Sequence, residues 1–322
     1  MKVEKIKVNS SVSERLDKYL PSIFHDYSRT FFQNLIKDGK VKLNGIIVSA
    51  KTRVVDGAEI EIIWPKERGF TIPAPEEFKF NILFEDDDLL VIDKPAGVVV
   101  HPAAGNWTGT VVNALVGRDS SFLDSVLEDE ADELSSARPG IVHRLDKETS
   151  GCLVIAKNIK SRMKLAESFA SRRIKKIYKA ITYGLPPKNE EKITTLIGRH
   201  HINRQKMAVL KWNGKKAVTI YRLVKKWVYE EIDLSLLDVE ILTGRTHQIR
   251  VHLAYKKCPI LGDKLYGGKQ SIKAPRQMLH AWYLGFPHPS TGKLIEIESP
   301  IPNDFKKYIK IIKPDIQEYC KQ

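Results

Sequence analysis

The feature that most constrains this chain is a polar segment, residues 143–151, that runs directly into an apolar stretch. The segment reads His-Arg-Leu-Asp-Lys-Glu-Thr-Ser-Gly, and Cys-Leu-Val-Ile-Ala follows at residues 152–156. Small polar residues and glycine favour turns, and a short apolar run bounded by turn signals is typical of a buried strand. The pattern places Asp146 on a loop just before a strand, with Arg144 close enough to keep its carboxylate ionised. Such a carboxylate suits a nucleophile or an electrostatic anchor better than a general acid.

The tetrapeptide Arg-Leu-Asp-Lys within this segment also occurs at residues 15–18, so it carries little information by itself. There it continues into Tyr19 and Leu20 with apolar residues at helical spacing, which predicts an ordinary helix. We expect Asp17 to lack the stacking face and the counter-charge that a nucleophile needs. Only the copy at residues 144–147 is therefore predicted to belong to a functional site.

An excess of positive charge predicts a polyanionic partner. Lys and Arg number 53 against 39 Asp and Glu, which gives a net charge of +14 and a pI near 9.5. No apolar run approaches the roughly 18 residues that a membrane-spanning helix needs, and the N-terminus lacks the apolar core of a secretion signal. Three scattered cysteines without a Cys-x-x-Cys pair predict a reducing compartment, no disulfide framework and no zinc site. We expect a cytoplasmic protein.

Two basic segments indicate where the polyanion would bind. Residues 157–179 carry nine Lys or Arg and one acid, and residues 199–226 carry nine more and no acid. One such segment could equally be solvated surface, but two beside the same motifs favour a footprint for a phosphate backbone. Residues 119–133, in contrast, carry seven acids and no base. This acidic segment is predicted to be a surface loop that nucleic acid avoids.

Residues 1–64 show the pattern of a small α+β domain. Apolar residues at helical spacing predict two helices, the second of which closes at Gly39. An alternating segment then turns at Asn44 and Gly45, the strongest short signal for a β-hairpin. With Arg29 and other polar residues along one edge, this arrangement resembles the S4 RNA-binding domain. The resemblance implies that Arg29 contacts RNA.

A linker at residues 65–77, interrupted by three prolines and a glycine, leads to a second domain at residues 78–302. Many strand patterns and few helices predict an α+β class with a mixed, largely antiparallel β-sheet flanked by helices. We interpret residues 303–322 as a basic C-terminal tail. No glycine-rich phosphate loop and no His-Glu-x-x-His cluster occurs, so the sequence indicates neither nucleoside triphosphate nor zinc chemistry. The predicted strands are 88–93, 151–156, 175–183, 217–224 and 235–242, and the predicted helices are 110–115, 161–170 and 247–255.

Three further segments of the second domain carry residues suited to a binding site. One is a pair of turn-rich loops that contains His101. Another is the alternating strand that contains Tyr178, although a tyrosine in such a strand is most often part of a core. The third is residues 243–253, where a Thr-Gly turn opens a helix and His247, Arg250 and His252 could face a cleft. Taken singly, these residues are equally well explained as core or surface.

Taken together, the motifs resemble those of the RluA family of pseudouridine synthases, and the resemblance covers nearly all of residues 11–302. Additional matches resemble those members that modify the helix 69 loop of large-subunit (23S) ribosomal RNA. The family motifs occur in the family's order at residues 143–151, 175–178, 244–252 and 261–267, and the additional matches lie at residues 101–106, 199–207 and 299–302.

The resemblance implies a role for each of four residues. Asp146 is similar to the catalytic aspartate, which attacks the target nucleoside or stabilises charge as the uracil glycosidic bond breaks. Tyr178 is similar to the tyrosine that packs against the flipped uracil and handles the C2′ proton, and Arg250 to the arginine that pairs with the aspartate. Arg144 matches a position that helps to hold the flipped-out site. These roles fit the chemistry, because a base must leave its stack before a side chain can reach it.

The resemblance also implies further RNA contacts, which we assign to His101, His143, Arg245 and His247. It implies no cofactor and no metal, because the isomerisation is redox-neutral and nearly isoenergetic. The expected partner is ribosomal RNA, of the large subunit or its precursor particle, with no membrane involved. We expect the protein to be a monomer.

Two other functions stay open at this point. A catalytically silent RNA-binding protein needs only the S4-like domain and the basic segments. A glycosidase-type hydrolase would use Asp146 with Glu148, since both chemistries cleave a glycosidic bond. Release of free uracil would favour the hydrolase, and an Asp146→Ala variant with intact function would favour the binding protein.

Overall fold

The chain folds as two units, of which the described residues up to 64 form the first and those from 75 onward form the second. We call them the small unit and the large unit. The interpretations of the linker at 65–74, the acidic segment at 120–133 and the tail at 310–322 fall outside the described residues. The computed structural model describes residues 3–9, 13–24, 29–64, 75–102, 106, 108–119, 140–203 and 205–309.

The small unit combines short strands with two helices. Its main sheet is antiparallel, and the predicted hairpin is confirmed, because Asn44 and Gly45 join its third and fourth strands with φ angles of 49° and 79°. Leu20, Phe32 and Ile60 are fully buried in its core. The elements are β1 (Val3–Lys7), β2 (Glu14–Arg15), α1 (Leu16–Ile23), α2 (Arg29–Lys37), β3 (Val41–Leu43), β4 (Ile46–Ile47), β5 (Arg53–Val54) and β6 (Glu59–Ile63). The main sheet has the order β1-β6-β3-β4, and β2 pairs with β5.

The large unit is built on one long sheet. Its strands are β7 (Asn81–Glu85), β8 (Leu89–Lys94), β9 (Ser150–Ala156), β10 (Lys175–Tyr183), β11 (Glu190–Arg199), β12 (Met207–Leu210), β13 (Lys215–Tyr229), β14 (Ile232–Ile241), β15 (Leu279–Pro287) and β16 (Leu294–Glu298). Its helices are α3 (Val111–Arg118), α4 (Ile159–Ala170), α5 (Gln248–Tyr255) and α6 (Asn303–Ile309). Within the described residues these ten strands form one sheet in the order β12-β11-β13-β14-β10-β15-β9-β8-β7, with β16 added to β15. The β9–β15 pair is parallel and the other paired strands are antiparallel, so the predicted fold class is confirmed.

The strands and helices predicted for the second domain are all present. The strand at residues 175–183 coincides with β10, whereas the strand at residues 217–224 is the middle of the longer β13. β7, β11, β12, β15 and β16 were not predicted. No helix in the described part of the chain is both long and apolar enough to cross a membrane.

Gly151 marks the place where the polar segment enters the sheet. Its φ is 115°, and a Cβ there would lie 2.2 Å from the carbonyl oxygen of Ala281. Only glycine tolerates this combination of conformation and close approach. The parallel pairing of β9 with β15 is confined to this point, where Ser150 lies opposite His280 and Gly151 opposite Ala281.

The two predicted boundaries of the second domain, at residues 78 and 302, need correction. Phe305 and Tyr308 of α6 are buried in the main hydrophobic core, so the first residues after 302 complete that core and do not form a separate tail. At the other edge, the carboxylate of Glu76 accepts the backbone N–H of Gly109. The described end of the interpreted linker therefore already belongs to the large unit.

Candidate active site

Asp146 lies on a loop, residues 143–149, whose backbone accepts hydrogen bonds from buried side chains of two neighbouring segments. The first of these side chains is Lys94 at the end of β8, which is fully buried. Its Nζ donates to the carbonyl oxygen of Lys147 at 3.2 Å and to two carbonyl oxygens of the following turn at 2.8 and 2.9 Å. Burial lowers the pKa of Lys94 to about 7, while the nearby Asp146 carboxylate and the three acceptors favour the charged form. Lys94 thereby anchors the Asp146 loop through the Lys147 carbonyl.

The second side chain that binds the loop is Arg276, which precedes β15 and is 5% exposed. Its Nη1 donates to the carbonyl oxygen of Glu148 at 3.1 Å, and its Nη2 donates to Ser150 Oγ at 3.2 Å. Asp304 of α6 accepts from Nε and Nη2 of the same guanidinium, at 2.6 and 3.0 Å. The helix beyond residue 302 is thus connected to the Asp146 loop through one buried arginine.

Arg250 of α5 joins two carboxylates. Its Nη1 donates to Asp146 Oδ2 at 2.9 Å, while its Nε and Nη2 donate to the two oxygens of Asp263 at 2.8 and 3.0 Å. Asp263 is buried and also accepts the backbone N–H groups of Leu265 and Tyr266. Burial disfavours the ionised carboxylate of Asp263, but the hydrogen bonds from Arg250 and from the backbone lower its pKa overall. Asp263 therefore orients Arg250, and Arg250 in turn holds Asp146.

The helix that carries Arg250 is set against the sheet by buried polar contacts. His247 precedes the helix with a left-handed φ of 57°, which turns the chain from β14 into α5. The expectation that His252 faces the cleft was wrong, because His252 is fully buried and its two ring nitrogens lie 2.8 Å from the hydroxyls of Thr195 and Thr219. Burial lowers the pKa of His252 to about 4, so a neutral imidazole can donate to one hydroxyl and accept from the other.

Tyr178 reaches the same site from β10. The pairing of β10 with β15 shifts register between Ile177 and Lys179, with one extra residue on β15 opposite Tyr178. Bulges of this kind re-aim side chains and are common beside functional sites. The side chain is 7% exposed, and burial, followed by the charge of Asp146, raises its pKa above the ordinary value. Tyr178 is therefore a neutral phenol at physiological pH, and its ring can stack on a ligand.

A cavity of about 420 Å³ is lined by Asp146, Tyr178 and Arg250 together. Leu145 and Leu279 add apolar surface to the lining. Cationic walls suit a ligand that carries phosphates, and an aromatic ring with apolar neighbours suits a planar base. The cavity can thus accept a nucleotide with its base and sugar beside one carboxylate. The further cationic residues in the lining are Arg144, Arg172, Lys176 and Arg245.

Comparison with known proteins assigns both parts of the chain. Residues 88–255, more than half of the chain, match the family model described as RNA pseudouridylate synthase. The chain belongs to the RNA pseudouridylate synthase family. Residues 14–60 match the S4 domain, so the predicted order of an S4 domain followed by a pseudouridine synthase domain is confirmed.

Similar proteins cover almost the whole of this pseudouridine synthase. The ribosomal large subunit pseudouridine synthase D of Haemophilus ducreyi (strain 35000HP / ATCC 700724) is 40% identical over 95% of this chain and 93% of that protein. The RNA pseudouridine synthase YlyB of Bacillus subtilis (strain 168) is 39% identical over 92% of this chain and 94% of that protein. Among solved structures, the human RNA pseudouridylate synthase domain containing 1 has a TM-score of 0.54 at 27% identity, over 69% of this chain and 83% of that one.

Most of the residues selected from the sequence line the cavity of this synthase. They are His143, Arg144, Asp146, Tyr178, Arg245, His247 and Arg250. His247 Nε2 lies 3.9 Å from Asp146 Oδ2, and its Nδ1 lies 2.9 Å from the hydroxyl of Tyr266. Burial lowers the pKa of His247, which favours the neutral ring. His143 Nε2 accepts the backbone N–H of Val154 at 3.0 Å, and burial lowers its pKa to about 3. Both histidines can offer hydrogen bonds from neutral rings.

Two of the selected residues lie elsewhere. His101 is buried and is not among the described residues that line the cavity. Arg29 is in the small unit, where its Nε and Nη2 donate to Asp17 Oδ2 at 3.1 and 2.8 Å. Asp17 lies in α1 as predicted, but Arg15 bonds it as well, so the expectation that it lacks a counter-charge was wrong. The RNA contacts of His101 and Arg29 stay predictions.

Sequence reasoning missed the residues that support Asp146 and Arg250. Asp263 and Tyr266 lie in the motif at residues 261–267, which was used only to infer the family resemblance. In the structure, Asp263 binds Arg250, and the Tyr266 ring centroid lies 5.1 Å from the Arg250 guanidinium carbon. Lys94 and Arg276 had a weaker signal, since each is a single cation next to an apolar strand. Among the described residues, no group of three or more His, Cys, Asp or Glu is arranged to hold a metal ion, and the expectation of no cofactor stays a prediction.

Proposed function

We propose that this chain converts uridine to pseudouridine in large-subunit (23S) ribosomal RNA, acting on a nucleotide flipped into the Asp146 cavity. The observation that carries the proposal is the Asp146 carboxylate, held by Arg250 Nη1 at 2.9 Å in a cavity that Tyr178 also lines. The substrate class follows the name of the Haemophilus ducreyi relative, which is described as a large-subunit enzyme. The finer target, the helix 69 loop, rests on the sequence resemblance.

The chemistry begins with a uridine that leaves its stack, because a side chain cannot reach the glycosidic carbon inside a helix. Cationic groups around the cavity attract the phosphates of this nucleotide, and the neutral ring of Tyr178 packs against the uracil. The Asp146 carboxylate then attacks the nucleoside or stabilises charge as the C1′–N1 bond breaks. Attack at C1′, attack at C6 and removal of the C2′ proton all start from the same carboxylate.

The detached uracil must be retained until it rejoins the sugar. It rotates, a C1′–C5 bond forms, C5 loses its proton to restore the aromatic base, and the freed N1 gains a proton, so no atom is added or removed overall. Leu145, Tyr178 and Leu279 provide surface that limits water beside the base. Arg250 keeps its charge throughout, because its guanidinium does not deprotonate in proteins. A cationic site with apolar and aromatic surface beside the base thus favours isomerisation over hydrolysis.

A hydrolytic role for Asp146 with Glu148 has little support. Glu148 is not among the described residues that line the cavity, and its backbone carbonyl is committed to Arg276. Paired carboxylates are required for the usual glycosidase mechanisms. A single carboxylate with an arginine partner is better suited to retaining the base.

The test is carbodiimide mapping of pseudouridines in ribosomal RNA from cells with and without this protein. We expect one or more sites of the large-subunit RNA, including the helix 69 loop, to disappear without the protein and to return with the wild-type gene. An unchanged pattern in the large-subunit RNA would contradict the substrate. In a purified reaction, release of free uracil would contradict isomerisation, and restoration of the sites by Asp146→Ala would favour a silent binding protein. The cytoplasmic location and the monomeric state are further expectations of this proposal.

A further inference from the structure

An exposed tryptophan stands on the short connection between β12 and β13. These two strands lie on opposite sides of β11, so residues 211–214 cross over that strand. The crossing is close, because a Cβ on Gly214 would lie 2.9 Å from Leu196 Cβ. Trp212 lies within this crossing and is 70% exposed. A large aromatic side chain is therefore presented to solvent on a backbone that is held against the sheet.

The charges around Trp212 distinguish it from an ordinary exposed apolar residue. Single exposed apolar side chains are common and usually need no explanation. Here Lys211 precedes the tryptophan, Lys215 and Lys216 follow it closely, and the sequence from 199 to 226 contains no acid. An aromatic face among cations is the arrangement that binds unpaired nucleic acid, because bases stack on the ring while the cations contact phosphates.

The tryptophan connection is linked to the catalytic cavity. Arg245, which lines that cavity, donates from Nε to the backbone carbonyl of Lys216 at 3.1 Å. On the other side, Lys211 and Lys216 line a second groove of about 580 Å³ together with Tyr255. Tyr255 is itself 57% exposed. A cationic track with two exposed aromatic rings thus begins beside the site that receives the target nucleotide.

We propose that Trp212 stacks on an unpaired base of the substrate RNA outside the target nucleotide, while Lys211 and Lys216 contact the phosphates of the same strand. This inference rests on the proposed function, since it requires an RNA substrate. It assigns to the β12–β13 connection an RNA contact separate from the catalytic cavity. Trp212 is not among the described residues lining the cavity, so its contribution goes to binding and not to the chemical step.

The experiment compares Trp212→Ala with Trp212→Phe, which keeps a stacking ring. The readouts are the Kd from fluorescence anisotropy of a labelled RNA fragment that carries the modified site, and the KM and kcat for its conversion. Stacking on an aromatic ring predicts that Trp212→Ala raises Kd and KM by about 5- to 100-fold with kcat unchanged, while Trp212→Phe restores most of the affinity. The matched control is Val228→Ala, because Val228 is 64% exposed near the far end of β13.

Several outcomes would overturn the inference. One is a Trp212→Ala variant that binds the naked RNA as tightly as the wild type does. Another is a defect that appears only on assembled ribosomal particles, which would indicate a protein contact. A third is an equal loss in Val228→Ala. Wild-type protein that binds the fragment without making pseudouridine would contradict the proposed function separately, and the ratio of the Kd values would still decide the role of Trp212.

Discussion

Replacement of Asp263 by asparagine tests whether a buried carboxylate orients Arg250 for its contact with Asp146. Asp263 is 2% exposed and accepts two N–H bonds from Arg250, at 2.8 and 3.0 Å. In the variant an amide NH₂ group meets a guanidinium donor, so at least one of these bonds is lost. Hydrogen bonds to charged groups contribute about 1.5–3 kcal/mol each, and removing one partner of a buried pair costs about 3–5 kcal/mol. We expect the unfolding free energy of the large unit to fall by about 3 kcal/mol.

The same variant is expected to slow the reaction. Without Asp263, the Arg250 guanidinium can rotate about its remaining contact with Asp146, and small misplacements of catalytic groups cost about a hundredfold in rate. We expect kcat to fall by about 10- to 100-fold while the RNA Kd changes by less than about threefold. Urea unfolding followed by tryptophan fluorescence measures the stability, and single-turnover conversion of a saturating RNA fragment measures the rate.

Two controls separate this effect from a general loss of charge. Glu190→Gln breaks an exposed ion pair with Arg222 and is expected to change neither stability nor rate. Asp146→Asn leaves both bonds between Asp263 and Arg250 in place, so it is expected to retain most of the stability. Wild-type stability together with wild-type kcat in Asp263→Asn would refute the reasoning. A loss of stability without a change in kcat would refute the link between Asp263 and catalysis.

Two further predictions concern the supports of the site. Asp304→Asn removes charge-assisted hydrogen bonds to buried Arg276. We expect the free energy of unfolding, measured in urea, to fall by about 2 kcal/mol and kcat to fall as well. An unchanged kcat would contradict the proposed connection between Asp304 and the Asp146 loop. Buried His252 and His280 have pKa values lowered to about 4, so the unfolded chain takes up protons first as the pH falls from about 6.5 to about 4. The unfolding free energy should therefore fall across this window, and His252→Gln, which can still bond a threonine hydroxyl, should reduce the slope in urea titrations at several pH values.

The local patterns that the sequence contains were sufficient for much of the fold and for the central residues. The alternating pattern of residues 175–183 predicted β10, and the strand in the structure has the same bounds. The turn at Asn44 and Gly45 was predictable because both residues tolerate positive φ. Asp146 was identified by its loop and the strand after it, and Tyr178 and Arg250 became convincing only as partners of that loop.

The rest could not be predicted because it depends on contacts between distant parts of the chain. Asp263 and Arg276 are hydrophilic residues in loops, and nothing local indicates that each becomes buried against a charged partner. The segment that forms α6 was predicted to be a basic tail because its lysines dominate the sequence pattern. The pattern did not show that two apolar residues between them, Phe305 and Tyr308, pack in the core. The counter-charges of Asp17 were likewise missed, because one of them comes from the next helix.

The most direct test of the central claim is the conversion of uridine by Asp146→Asn. Purified wild-type and variant proteins are incubated with unmodified large-subunit RNA, and pseudouridine is quantified by nucleoside chromatography under single-turnover conditions. We predict that the variant loses conversion by at least about a thousandfold, as expected for a group that acts directly on the substrate, while its RNA Kd stays near the wild-type value. Conversion within about tenfold of the wild-type rate would contradict a catalytic role for Asp146.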